Sequence, residues 1–279
     1  MLFLARPRYE VRIWGSLSSG EGSVGEIWWI YQDDGGSTAL KGPDGRRSTV
    51  ADLVSRGRLP GGSCYPVLLK TLHTADRLSV QVHPGVFGGP LFKEETWIVL
   101  NAEDGAWMMG GLLTSDRESF IRAVDDGTAG DLLIRTPLRA GEAYHIPPGT
   151  VHALGPGLTV LEVQSNCDVT YRLYDWGRVY GSGVSRELHI RKGTEAVDWS
   201  RPGCPVPLGD GGSFDDLKAA YSIVHVQGEK PLALQGGAVF FLSSGEASFE
   251  GEVEAPACLI ADRDGGEFTL RGRGYIIEP

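Results

Sequence analysis

The sequence predicts a mainly β protein with a few short helices, organised as two β domains of unequal size. Three observations lead there. Glycine is abundant, 40 of 279 residues, and much of it sits in short punctuating clusters that favour turns between strands over long helices. Between those clusters lie apolar runs of strand length, rich in Val, Ile, Leu and aromatic residues. Near residue 205 a Pro/Gly-rich break, RPGCPVPLGDGG (201–212), separates a longer block from a shorter one with the same strand rhythm.

Taken in order, GEIWWIYQ (25–32) reads as a buried strand and DDGGS as its turn. STVADLVSRG reads as a short helix, with Ser48 or Thr49 capping its start and Gly57 suited to a left-handed stop. YPVLLKTL (65–72), RLSVQVH (77–83) and ETWIVL (95–100) are the clearest strands. Ser115 and Glu118 have capping-box spacing, which predicts a helix from about 115 to 124. GEAYHIP, LTVLEVQ and VTYRLYDW restore the strand pattern, and no internal repeat interrupts it. The domain expectation is therefore 1–205 and 206–279. Within the second part AYSIVHV, LALQGGAVFFL, ASFEGEV, ACLIAD, EFTLRG and GYIIEP are short strands. His225 is its only histidine, so a structural or oligomeric role is expected there.

A formal charge of −10 and the lack of a basic stripe argue against nucleic-acid binding. The apolar run in MLFLARPRYE is too short for a signal peptide, and no stretch approaches membrane-spanning length. Cys64, Cys167, Cys204 and Cys258 are scattered, without a C-x-x-C pair, which points to free thiols in a reducing compartment. A cytoplasmic enzyme or small-molecule binding protein is the expectation.

The stretch LSVQVHPGVFGGPLFKEETWIVL carries the chemistry. Strand alternation puts Gln81 and His83 on one face and Val80 and Val82 on the other. Glu94 or Glu95 returns on the next strand, and alternation lets only one of them share the face of Gln81 and His83. GEAYHIPPGTVHALGPG adds His152 behind a turn skeleton of Gly141, Pro147 and Gly149. Alone, His83 before Pro84 reads as a strand-end residue and either glutamate as a solvated charge. Together, Gln81, His83, a glutamate and His152 form a mixed nitrogen and oxygen set suited to zinc or a related divalent ion with an open position. His73 and His145 are further candidates, with His145 read as a pocket or surface residue. His189 is read as structural.

The skeleton around His152 resembles the second motif of the cupin superfamily, which implies a jelly-roll barrel in the first domain, and the strand pattern of the C-terminal third resembles a smaller, metal-free cupin-like domain. The order of motifs is similar to the type I mannose-6-phosphate isomerases, in their short form, over about residues 12–192. RIWG and GEIW, YPVLLKTLHTADRLSVQVHP, KEETWIVL, GEAYHIPPGTVHALGPG, LEVQSNCDVTYRLYDWGR and RELHIRK carry the resemblance. It implies Gln81, His83, Glu95 and His152 as zinc ligands, and it decides for Glu95 over Glu94. It further implies Arg172 as a catalytic residue and Lys70 and Lys93 as pocket lysines, with Lys93 also a candidate in catalysis. The implied reaction interconverts mannose 6-phosphate and fructose 6-phosphate, with the proton moving between C1 and C2. Lys93, a histidine or a water held by the metal are open as the group that moves it. Arg172 could instead form a structural ion pair with Asp168 or Asp175.

The chain also departs from the family. Gly85 follows His83–Pro84 where acidic residues are usual, and a short glycine-rich loop follows it. Glu94 adds a negative charge beside Lys93, while Tyr31 and Cys167 replace serines. These changes leave three other expectations standing: an idle cupin that binds a sugar or sugar phosphate, an isomerase of an unphosphorylated sugar, and a cupin acting on metal-bound dioxygen. Gln81 counts against the last, since such sites favour histidine-rich iron sets.

Overall fold

The structure is a computed structural model of residues 1–279, and it describes all of them except 21, 86–90, 180–182, 201–204, 211–213, 215–216 and 250. The expected short loop at 86–90, much of the Pro/Gly break and Cys204 lie outside the described residues. The fold is mainly β, with three short α-helices among the described residues. None of its described helices is long and apolar enough to cross a membrane.

The chain divides into two compact units. One contains Val11–Glu26 and Leu72–Pro207, the other Met1–Glu10, Ile27–Thr71 and Leu208–Pro279. The C-terminal strands, from Leu208 on, group together. Met1–Glu10 and Ile27–Thr71 join them, however, instead of the unit that carries His83, Glu95 and His152. Strand periodicity cannot reveal such a return of the N-terminal segments: Leu2–Arg6, for one, pairs with Ala257–Ala261, some 250 residues away.

The unit with the candidate ligands is built from two antiparallel sheets. In the first, the strands run in the order Leu133–Pro137, Trp107–Leu112, His152–Leu154, Val80–Val82, Tyr171–Tyr174. In the second, Glu95–Ala102 lies between Glu142–Ile146 and Leu158–Ser165. Met108 and Leu154 of the first sheet pack with Trp97, Val99, Ile146, Leu158 and Val160 of the second, so the core sits between the sheets. Alternation sends Val80, Val82, Ala153 and Leu173 to the other side of the first sheet, where Phe120, Ala123 and Val124 cover them. Those three come from the helix Arg117–Asp125.

That helix starts two residues later than expected, and the Ser115–Glu118 capping box does not form. Asp116 is the N-cap, its carboxylate accepting from the Glu118 N–H at 3.0 Å. An ionised carboxylate one residue nearer the helix is the stronger acceptor for the free first-turn donors. In the other unit, Thr49 caps the helix Val50–Ser55 in a full capping box with Asp52, and Gly57 takes φ +64° just beyond it. The large sheet of that unit pairs Leu2–Arg6 between Ala257–Ala261 and Ala39–Lys41. The expected strands EFTLRG and GYIIEP are one continuous strand, Gly266–Glu278, paired along Ser222–Leu234.

Candidate metal centre

Three neighbouring strands of the first sheet bring Gln81, His152 and Arg172 into line. Gln81 is the cross-strand partner of His152 on one side and of Arg172 on the other. Directly opposed residues share a face, and the outward packing of Val80, Val82, Ala153 and Leu173 makes that face the inner one. His83 continues the alternation one turn of pleat beyond Gln81. Glu95 opens an interior strand of the second sheet, opposite Ile146 and Gln164.

The turns that deliver these side chains depend on their glycines. Gly141 and Gly149 take φ +95° and +79°, and the Gly149 N–H donates to the His83 carbonyl at 3.1 Å. At Gly85 a Cβ would stand 1.8 Å from Cβ of Pro148. The two loops around the site therefore close on each other only because residue 85 has no side chain, which accounts physically for one departure from the family pattern.

His83, Glu95 and His152 are buried, and their ligand atoms all lie within 4.8 Å of one another. His83 Nε2 is 2.9 Å from Glu95 Oε1, and His152 Nε2 is 3.7 Å from Glu95 Oε2. Neither approach is aligned as a hydrogen bond: both Nε2 atoms and Oε2 are buried without a hydrogen-bond partner. The far side of each ring explains why. Nδ1 of His83 lies 3.1 Å from the Val169 carbonyl, and Nδ1 of His152 lies 2.8 Å from the Thr150 carbonyl. A carbonyl accepts only, so each Nδ1 carries the proton and each Nε2 presents a lone pair.

Burial pushes the His83 imidazole down to about 3 and lowers that of His152, so both are neutral near pH 7. Burial also opposes the charge on Glu95, yet the proximity of His83 and Lys93 holds the carboxyl well below the usual range. With His83 neutral, the operative partner is Lys93, whose Nζ lies 2.9 Å from Oε1. Two imidazole lone pairs and a carboxylate thus converge in a buried space. That donor set fits a divalent metal of the zinc class, and backbone carbonyls behind the rings are the usual way such imidazoles are oriented.

The other sequence candidates separate cleanly. Glu94 lies on the opposite face from Glu95, with Oε2 3.8 Å from His145 Nε2. His145 is not a surface residue: it is 6% exposed and hydrogen-bonded to Thr96. Its strand pairs with that of Thr96, which fixes it on the outer face. Lys70 is buried in the other unit, with Nζ 5.5 Å from the Trp28 ring centroid. Asp175, one of the two suggested partners for Arg172, is gripped by Arg178 and Arg186.

Sequence reading missed Glu162 and Gln164. Both lie opposite residues of the Glu95 strand: Glu162 accepts from Trp97 Nε1 at 3.0 Å, and Gln164 faces Glu95. The alternation in LTVLEVQ contained that signal. The carbonyls of Thr150 and Val169 left none, because any residue type supplies one.

A two-sheet β fold with an inward His/Glu/His cluster at the end of the sheets defines a metal-binding protein of the cupin type. No family model matches the chain. It is 33% identical over 215 residues to "Probable mannose-6-phosphate isomerase GmuF" of Bacillus subtilis, covering 70% of this chain and 68% of that protein. It is 31% identical over 211 residues to the mannose-6-phosphate isomerase ManA of the same organism, covering 69% and 67%. The crystal structure of mannose 6-phosphate isomerase from Bacillus subtilis matches 99% of this chain and 98% of its own with a TM-score of 0.82 at 24% identity. A zinc-bound mannose 6-phosphate isomerase structure matches 99% of both chains with a TM-score of 0.73 at 15% identity. The structural likenesses bear on the fold, the sequence relatives on kinship. The chain belongs to the mannose-6-phosphate isomerase family.

Proposed function

We infer that this protein is a zinc-dependent aldose–ketose isomerase that interconverts mannose 6-phosphate and fructose 6-phosphate. The observation that carries the reading is the buried meeting of three acceptor atoms, on His83, Glu95 and His152, with no hydrogen-bond partner. Family membership supplies the reaction and substrate. Gln81, next to His152 in the sheet, is the fourth ligand. When bound, the metal supplies positive charge beside the oxygens of the reacting sugar.

The chain's own groups do the rest. The reaction breaks the C2–H bond of the aldose, passes through an enediol, and forms a C1–H bond in the ketose. Negative charge grows on oxygen as the first proton leaves. Arg172, on the inner face beside Gln81, stabilises that charge with a group that is always cationic. Lys93 adds a second positive group and holds Glu95 in place as a carboxylate. Cys64, Cys167 and Cys258 are free thiols, in keeping with an enzyme of the reducing cytoplasm.

The test is a coupled isomerase assay at fixed ionic strength. Mannose 6-phosphate should turn over with far higher kcat/KM than free mannose, and a chelator should abolish turnover until zinc is restored. Equal or faster turnover of free mannose would remove the phosphate from the assignment. Chelator-resistant turnover would remove the metal.

A further inference from the structure

We propose that His189 is a positioning residue for Arg172, holding its strand and its guanidinium at the edge of the metal centre. The proposal rests on the reading of Arg172 given under Proposed function. Tyr171–Tyr174 is the last strand of its sheet, bonded to Val80–Val82 on one side. On the other side, the backbone groups of Arg172 turn to a single residue. The Arg172 carbonyl accepts the His189 N–H at 2.7 Å, and the Arg172 N–H donates to His189 Nδ1 at 3.0 Å. An imidazole thus stands where the carbonyl of a further strand would be. Because Nδ1 accepts, the His189 proton lies on Nε2.

The same strap reaches the head of the side chain. Arg172 Nη1 donates to the Glu187 carbonyl at 3.0 Å, so residues 187 and 189 grip the arginine at both ends. Fixed points flank the strap. Before it, Arg186 makes two bonds to Asp175, Nε to Oδ2 at 2.8 Å and Nη2 to Oδ1 at 2.6 Å. After it, His189 is the N-cap of the helix Ile190–Ala196, and its carbonyl accepts the Gly193 N–H at 2.7 Å. The His189 side chain makes no capping bond to that helix, because the ring faces Arg172. Gly193 lets the helix lie against the strand: a Cβ there would sit 2.4 Å from Leu173 Cδ2. A bond that served folding alone would not need to select the one strand residue whose side chain stands beside Gln81 on the inner face.

The experiment uses the full zinc-loaded chain and steady-state kinetics with mannose 6-phosphate, alongside zinc content and circular dichroism. His189→Ala should lower kcat about tenfold with KM within about twofold, since misplacing a charge-stabilising group acts on the transition state. His189→Asn places an acceptor oxygen near the position of Nδ1 and should restore most of the loss. His189→Gln places its acceptor one bond further out and should not. In an Arg172→Lys background, His189→Ala should add little, because the two act as one unit. The clamp is overturned if His189→Ala keeps full kcat per folded, zinc-loaded molecule, if Asn and Gln behave alike, or if the double variant loses a further tenfold. Should His189→Ala fail to fold, the Asn and Gln pair decides. If Arg172→Lys alone leaves kcat unchanged, the reading of Arg172 falls and takes the clamp with it. A large loss in Arg172→Lys beside an unaffected His189→Ala removes the clamp alone.

Discussion

His83 and His152 each have one ring nitrogen tied to a carbonyl and the other aimed at Glu95, so removing either ring takes away a lone pair that nothing nearby replaces. His83→Ala or His152→Ala should therefore abolish stoichiometric zinc and turnover together while the strands persist. Elemental analysis of the purified variants, read beside their circular dichroism, checks this. Arg172→Lys should keep fold and zinc yet lose at least about a hundredfold in kcat, the scale of one oriented charge-stabilising donor. Gly85→Ala tests packing at the same site. A Cβ pressed against Pro148 should destabilise by about 1–3 kcal/mol, visible in the urea midpoint. At this scale the sequence was informative wherever a residue type is rare in its role. Gln81 and His83 stood out as polar groups sharing one strand face, whereas Glu95 over Glu94 and the place of His152 rested on the family resemblance and its motif. His145 was misjudged because its burial depends on Thr96 and Glu94 across and along the sheet, which spacing does not reveal.

Strands and turns were easier to foresee than helix ends. Long apolar runs marked Val67–Thr74, Glu95–Ala102 and Leu158–Ser165, whereas Trp107–Leu112, broken by Gly110 and Gly111, and the short, partly charged Leu133–Pro137 emerged only from pairing. The segment after Tyr174 shows an element held by charge. Asp175 is buried between Arg178 and Arg186, and although burial opposes its ionisation, their hydrogen bonds hold its carboxyl below the usual range. A carboxyl depressed in the folded state adds stability above its unfolded value near pH 4, and that stability is lost as pH falls through the folded value. Asp175→Asn should thus lower stability by about 1–2 kcal/mol at pH 7. This is less than for a fully buried pair because both guanidiniums reach solvent. The difference between wild type and variant should close in strong acid. Thermal melts of both proteins across pH 2–7 measure it, and a gap that stayed constant would point to packing instead of charge.

For the molecule as a whole, metal and stability are linked. A metal-free site leaves two imidazoles and a carboxylate facing one another, so chelation should lower the melting midpoint on the order of 10 °C if zinc is present far above its dissociation constant. Differential scanning calorimetry with and without chelator gives the value, and an unchanged midpoint would count against a resident metal.

The pairing of Leu2–Arg6 with Ala257–Ala261 has a further consequence, for the order in which the chain comes together. During synthesis the first of these strands leaves the ribosome while its partner is still some 250 residues from being made. Val11–Glu26 and Leu72–Pro207 can associate before Ala257–Ala261 is made, but the sheet that holds Leu2 and Phe3 cannot close until that strand emerges. Loop closure over such a separation is slow, because its entropy is lost before any contact compensates. The nascent chain therefore passes through an interval in which the apolar strand Leu2–Arg6 lacks this partner, the kind of edge that chaperones shield.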